Sequence, residues 1–243
     1  MSAYVQGIWS TSISPDDSAN TKRWLQGDAC SGILLNLNGP IYLDKIQHSA
    51  GVILLPVSKE AHSVTLPPGS QLAGIRFHPG ISFGVFRTLE DKPAAINDCI
   101  PLYELHTLAS HLVNISGHHA RIVTLYKWLN SAIDFSDIIP SSLVQALNGI
   151  QKTQALSPVS DDIFLSQRQL ERQFQKWLGM TPKHYQRVLR VKRTLSFLKQ
   201  HPYSDLVRLA LDNNFSDQAH MTREFKQIAK ITPGQYSKRV AGR

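Results

Sequence analysis

Five polar side chains stand close together at Gln167, Arg168, Glu171, Arg172 and Gln175, and a second set follows at Gln218, His220, Thr222 and Arg223. These residue types share one chemistry. An arginine can chelate the O6 and N7 edge of guanine, a glutamine can pair with adenine, and a glutamate can accept from cytosine N4. On one face of a helix, such a set fits the major groove of duplex DNA with the first turns nearest the bases. Arg172 and Arg223 recur at the same place, so a phosphate contact or an intradomain ion pair competes with base reading for each. His220 can bond to a base or simply pack. Asp217, at a helix start, reads as a cap. Lys176, Lys183, Lys226 and Lys230 read as phosphate contacts or solvated charge.

The elements that must position these groups occur twice. Gln167–Tyr185 overlays Gln218–Tyr236 at a shift of 51 positions, placing Arg172 on Arg223, Phe174 on Phe225, Thr181-Pro182 on Thr232-Pro233 and Tyr185 on Tyr236. Upstream the shift becomes 50, with Leu156, Val159 and Ser166 falling on Leu206, Leu209 and Ser216. Each copy reads as a short apolar helix, a turn, a polar helix and a Thr-Pro stop, which is a helix-turn-helix pattern. In the first copy Leu156, Val159 and Ile163 face inward on the leading helix. Ser166 caps the second helix, and Leu170, Phe174 and Leu178 form its inner stripe. In the second copy Ser216 or Asp217 is the cap and Met221 and Phe225 face the core. Between the copies, Val188, Val191, Leu195 and Leu198 predict one long helix from about Pro182 to Lys199, opened by Thr181 and Pro182. A shorter helix is expected over about Ser141–Gln151.

Charge separates this segment from the rest. Residues 141–243 carry 17 Lys and Arg against 7 Asp and Glu, whereas residues 1–140 carry 9 against 11. The whole-chain charge of +8 therefore belongs to the C-terminal part, and a polyanion would be held there. Two cysteines, Cys30 and Cys99, are too few for a disulfide framework or a Cys-based zinc site. Met1–Val5 opens without the pattern of a signal peptide. No run approaches the roughly 18 apolar residues of a membrane span. A cytoplasmic protein is expected.

The first 90 residues read as short strands at Ile33–Leu37, Ile41–Leu43, Val52–Val57, Ser63–Leu66 and Leu72–Phe77, punctuated by Gly and Pro turns. An antiparallel barrel or sandwich is expected, of a kind that can enclose a small molecule. Trp9, Trp24, Tyr42, Arg76 and Phe77 are either pocket-lining or core, and no effector-binding residue can be assigned. From Leu102 the period becomes helical, predicting helices near 101–113 and 117–132. They would cover the open side of the sheet or form a dimer seam. Asp134–Ser142 reads as a linker, giving domains at 1–135 and 141–243.

The segments Arg172-x-Phe174, Gly179-Met-Thr181-Pro182 and Phe215-Ser-Asp-Gln-Ala-His-Met-Thr-Arg-Glu-Phe225-Lys, closing on Thr232-Pro-Gly-Gln-Tyr236, resemble the AraC/XylS family of bacterial transcription regulators over about residues 150–238. The resemblance implies two helix-turn-helix units bridged by a long helix, with the reading helices in successive major grooves about 34 Å apart. It also implies a cupin-like N-terminal barrel that binds a small-molecule effector, followed by helices that form a homodimer. Gly74–Gly80 is similar to a stretch in some members' N-terminal domains. The chain departs from the family pattern at Asn214 and Lys230, where glycine is usual, at Met221 for a common Phe, and at Phe164, which is not a turn former.

Other chemistries are poorly supported. His48, His62, His78 and Glu60 are the barrel's metal-ligand candidates, and their spacing matches no metal motif. No nucleophilic triad, phosphate loop or dinucleotide fingerprint occurs. The expectation is an α+β protein: an antiparallel, cupin-like barrel with trailing helices, then an all-α domain. Its expected function is a sequence-specific transcription regulator, an activator under small-molecule control, with no catalytic residue, metal or cofactor. Its partners would be double-stranded promoter DNA and RNA polymerase, without a membrane. The rivals are an effector-independent regulator whose N-terminal domain only dimerises, a cupin-type metalloenzyme carrying a DNA-binding domain, and a DNA-repair protein with a reactive cysteine.

Overall fold

A computed structural model describes residues 2–95, 100–153 and 166–242. The expected leading helix of the first unit (Leu156, Val159, Ile163), the turn at Phe164, and Cys99 lie outside the described residues. The chain divides into two compact units, one of residues 1–25, 30–57 and 62–140, the other of 26–29, 58–61 and 141–243.

Unit 1 holds two antiparallel sheets. Strands β1 (Val5–Ser12), β8 (Gln71–Phe77), β3 (Ser31–Asn38), β6 (Gly51–Leu55) and β9 (Ala94–Ala95) form the first, in that order. The second runs β2 (Thr21–Leu25), β7 (His62–Leu66), β4 (Ile41–Leu43), β5 (Ile46–His48). The two are separate sheets and do not close into one barrel among the described residues. The period of two along β3 explains the layering. Ile33, Leu35 and Leu37 join Ile75 and Phe77 in one core, which also takes Leu105, Leu108 and Leu112 of α2 (Ile100–Val113) and Leu125 and Leu129 of α3 (His118–Ala132). Leu34 turns the other way, into a second core with Leu72, Ile53, Ile41, Val64 and Leu66. The five-stranded sheet is thus apolar on both faces, with α2 and α3 on one and the four-stranded sheet on the other. Those helices therefore cover the sheet, the first of the two roles their stripes suggested.

Two glycines matter to this packing. A Cβ on Gly74 would meet the Trp9 ring and the Ile33 carbonyl, each at 2.6 Å. Gly80, at φ 84°, opens the short helix α1 (Ile81–Phe86). The segment read as a linker is partly anchored in unit 1. Phe135 stacks on Tyr4 at 4.8 Å and Ile138 is buried, because these apolar side chains gain more by burial than a polar tether would.

Unit 2 is helical: α4 (Ser141–Thr153), α5 (Gln167–Leu178), α6 (Pro182–Gln200), α7 (Leu206–Asp212), α8 (Gln218–Ala229) and α9 (Pro233–Ala241). The long α6 buries the predicted stripe, Val188, Val191, Leu195 and Leu198, and Tyr185 besides. Among the described residues no helix is long and apolar enough to cross a membrane.

Candidate nucleic-acid interface

The repeat in sequence is a repeat in geometry. Helices α5 and α8 each have 12 residues. Ser166 caps α5 by accepting from the Gln169 amide, and the Gln169 side chain reaches back to the Ser166 amide. Asp217 caps α8 by accepting from the His220 amide. Both helices end in a left-handed residue, Gly179 at φ 62° and Lys230 at φ 57°. Each turn then leads into a threonine cap with proline next to it, Thr181-Pro182 and Thr232-Pro233. Phe174 tilts against Tyr185 at 5.6 Å and Phe225 against Tyr236 at 6.1 Å, with interplanar angles of 59° and 58°.

This framework fixes which faces point outward. Leu170, Phe174, Trp177 and Leu178 are buried on α5, while Gln167, Arg168, Glu171, Arg172 and Gln175 are exposed. Arg168, Glu171, Arg172 and Gln175 line a single concave surface of about 660 Å³. Gln167 Nε2 donates to Glu171 Oε1 at 3.3 Å, so part of this row is already hydrogen-bonded along the helix. On α8, Met221, Phe225 and Ile228 are buried, Gln218 and Arg223 are exposed, and Thr222 is half-buried.

His220 is held differently from its neighbours. Its Nδ1 accepts from the Ser216 amide at 3.2 Å and its Nε2 lies 3.3 Å from Glu224 Oε1. Its ring meets Phe215 edge-on. Both ring nitrogens are engaged within the unit.

Glu224 is the residue that the sequence reading missed. It is only 7% exposed. Arg187 Nε donates to its Oε1 at 2.9 Å, and Arg190 Nε lies 3.7 Å from Oε2, an ion pair longer than a hydrogen bond. Arg190 also donates to the Asn214 carbonyl at 2.6 Å and lies over the Phe215 ring at 5.0 Å. The carboxylate thus ties α6, α8 and the turn between α7 and α8 together. Asn214 in that turn sits at φ 58°, the conformation in which asparagine best replaces glycine.

Elsewhere the candidate pocket residues diverge. Phe77 lies in the helix-side core, Trp9 packs against the core between the sheets, and Trp24 is exposed under Lys22. Among the described residues no three His, Cys, Asp or Glu side chains group as metal ligands. His62 instead bonds to Asp44 at 2.5 Å, and Cys30 is buried.

Two capped helices of equal length, α5 and α8, joined through one long helix and exposing polar rows, with a complete helix-turn-helix at α7–α8, have the geometry of a helix-turn-helix DNA-binding domain. Residues 159–239 match the family model of the helix-turn-helix domain. An HTH-type transcriptional regulator of Haemophilus influenzae is 27% identical over 101 residues, covering 42% of this chain and 34% of that protein. The HTH-type transcriptional regulator MtrA of Neisseria gonorrhoeae is 31% identical over 74 residues, covering 30% of this chain and 24% of that protein. The chain thus spans between a quarter and a third of the length of these relatives. The crystal structure of ToxT from Vibrio cholerae covers 100% of both chains at a TM-score of 0.51 and 11% identity, a likeness of fold. The C-terminal domain is of the AraC type, and the kinship with AraC/XylS regulators expected from the sequence holds.

Proposed function

We propose that this chain is a sequence-specific, DNA-binding transcription regulator that activates its promoters under control of a small molecule held in the N-terminal domain. The reading is carried by one observation: α5 and α8 each repeat a side-chain cap, a left-handed stop and a Phe–Tyr contact while exposing a polar row on the face away from the buried one. Domains at 1–135 and 141–243 divide the work. Gln167, Arg168, Glu171, Arg172 and Gln175 read bases or hold phosphates from the first unit. Gln218, Thr222 and Arg223 do so from the second, with His220 at its edge. The partners are double-stranded promoter DNA, RNA polymerase and a second copy of the chain. Val113 and Tyr126 remain exposed on α2 and α3, which supports that pairing and keeps an effector-independent, dimerising regulator as the second reading.

Binding of the full chain to duplex DNA at several salt concentrations tests this. Six to ten phosphate contacts predict a loss of about 10³–10⁵ in affinity between 50 and 200 mM salt. Absence of any salt-sensitive attraction to any duplex would end the proposal.

A further inference from the structure

Arg121 carries a problem that the nucleic-acid reading does not touch. Its side chain sits in unit 1, where the residue is only 5% exposed. Its Nε donates to the Ile115 carbonyl at 3.0 Å and its Nη2 to Gln71 Oε1 at 2.5 Å. Both acceptors are neutral. No carboxylate pairs with this guanidinium among the described residues. A buried charge without a counter-charge is costly, and buried arginines are ordinarily paired.

The surroundings say what the missing partner is. Arg121 and Gln71 line a cleft of about 520 Å³ between the end of β1, two strand turns and the start of α3, a size suited to a small metabolite. The wall also carries Ser12, Asn38, Gly117 and His118, and no acidic side chain. His118 is steadied by Ser10 at 3.0 Å and Ser12 at 3.3 Å. Gly117, at φ 88°, is the N-cap of α3 and supplies no side-chain cap. The first amides of a 15-residue helix therefore open at the cleft that holds the uncompensated arginine.

We propose that this cleft binds a small ligand through an oxyanion, a carboxylate or a phosphate, held by Arg121 and the N-terminal amides of α3. The ligand supplies the negative charge that the fold leaves out. The site lies on the rim of the five-stranded sheet and is distinct from the core between the sheets. That the ligand acts as an effector rests on the control reading above; the binding itself does not.

The test is thermal melting of the full-length chain at fixed ionic strength, with chloride replaced in turn by inorganic phosphate, acetate and succinate. Saturating anion should raise Tm by about 5 °C. A response to phosphate alone assigns a phosphate ester, and a response to acetate or succinate assigns an organic acid. Gln71→Glu is the decisive variant, since it puts a carboxylate against Arg121 with little change of shape. It should melt above the parent chain in chloride and bind the anion at least tenfold more weakly. The basic helices of unit 2 are untouched by this change, so their own attraction for anions is subtracted. Arg121→Gln should lose the response as well, and Gln71→Glu stands if that variant fails to fold. No anion response beyond chloride, or equal responses from parent and Gln71→Glu, overturns the site. DNA binding measured with and without the anion separates the second question: saturable anion binding with unchanged DNA affinity leaves the site standing and removes its role in control.

Discussion

Arg172 and Glu224 show two ways in which a charged residue serves the same surface. Arg172 is exposed on α5, and no carboxylate is paired with it among the described residues. Arg172→Ala should weaken specific DNA binding by about 1–3 kcal/mol and relax the preference at one base. Titrations against the operator and against random duplex check this, and equal losses on both would make Arg172 a phosphate contact. Glu224 instead holds α8 in place from within. Glu224→Ala removes the acceptor of Arg187 Nε and the partner of His220 Nε2, while Arg187 keeps Gln227, and should cost about 2 kcal/mol of stability. It should also weaken DNA binding although the residue cannot reach DNA from its buried position. Denaturant unfolding beside DNA titration reads both effects, and an unchanged unfolding midpoint would remove Glu224 from this role. The arginine was legible because type and spacing suffice to propose a reader. The glutamate was not, because its partners Arg187 and Arg190 lie 37 and 34 positions away and meet it only once α6 and α8 have packed.

At the scale of elements, the two Phe–Tyr contacts bear the same load in each unit. Phe225→Ala removes a fully buried ring and its contact with Tyr236, and should destabilise unit 2 by about 3–5 kcal/mol. Phe174→Ala should cost a similar amount through Tyr185. Circular dichroism melts of both variants check the equivalence; a loss in one and not the other would break the structural repeat. The helix starts at Ser166, Thr181 and Asp217 were readable because capping is local: each precedes the amide it accepts from by three residues. Thr232 does the same for α9, where the sequence pattern reads only as a Thr-Pro stop. The inner strands β3, β6 and β8 were readable from their apolar runs. Strands β1, β2 and β5 were not. VQGIWSTS and TKRWL mix charge, glycine and hydroxyls, since they lie at sheet edges where only part of each strand is buried. The aromatic residues of unit 1 defeated a pocket assignment for a related reason. Which core a side chain joins depends on register, and a shift of one residue exchanges the two faces. The cleft at Arg121 draws on four separate chain segments, so no local pattern announces it.

The whole chain joins a unit of slight negative charge to one of strong positive charge, and its stability should respond to pH through both. His48 in unit 1 has its pKa lowered by burial, and its Nε2 is buried without a hydrogen-bond partner. His184 in unit 2 is also lowered, first by burial and then by the charges of Arg187 and Lys59, with Glu60 and the Lys59 carbonyl opposing. The unfolded chain takes up both protons near the ordinary value of 6.5, while the folded chain resists until lower pH. The unfolded state then binds more protons within that window, so stability rises with pH across it and is lost as pH falls below about 6.5. The carboxylates act in a lower window. The His220 amide holds Asp217 below its ordinary 3.8, and bonds from His62 and Ser63 do the same for Asp44 against the opposing effect of burial. Their contributions persist until pH drops toward and below that value. The full chain should therefore lose Tm between pH 7 and about 5.5 at constant ionic strength, and the double variant His48→Gln, His184→Gln should lose distinctly less. Calorimetry across that range decides the matter: parallel curves for the two proteins would mean that neither histidine is held neutral by the fold.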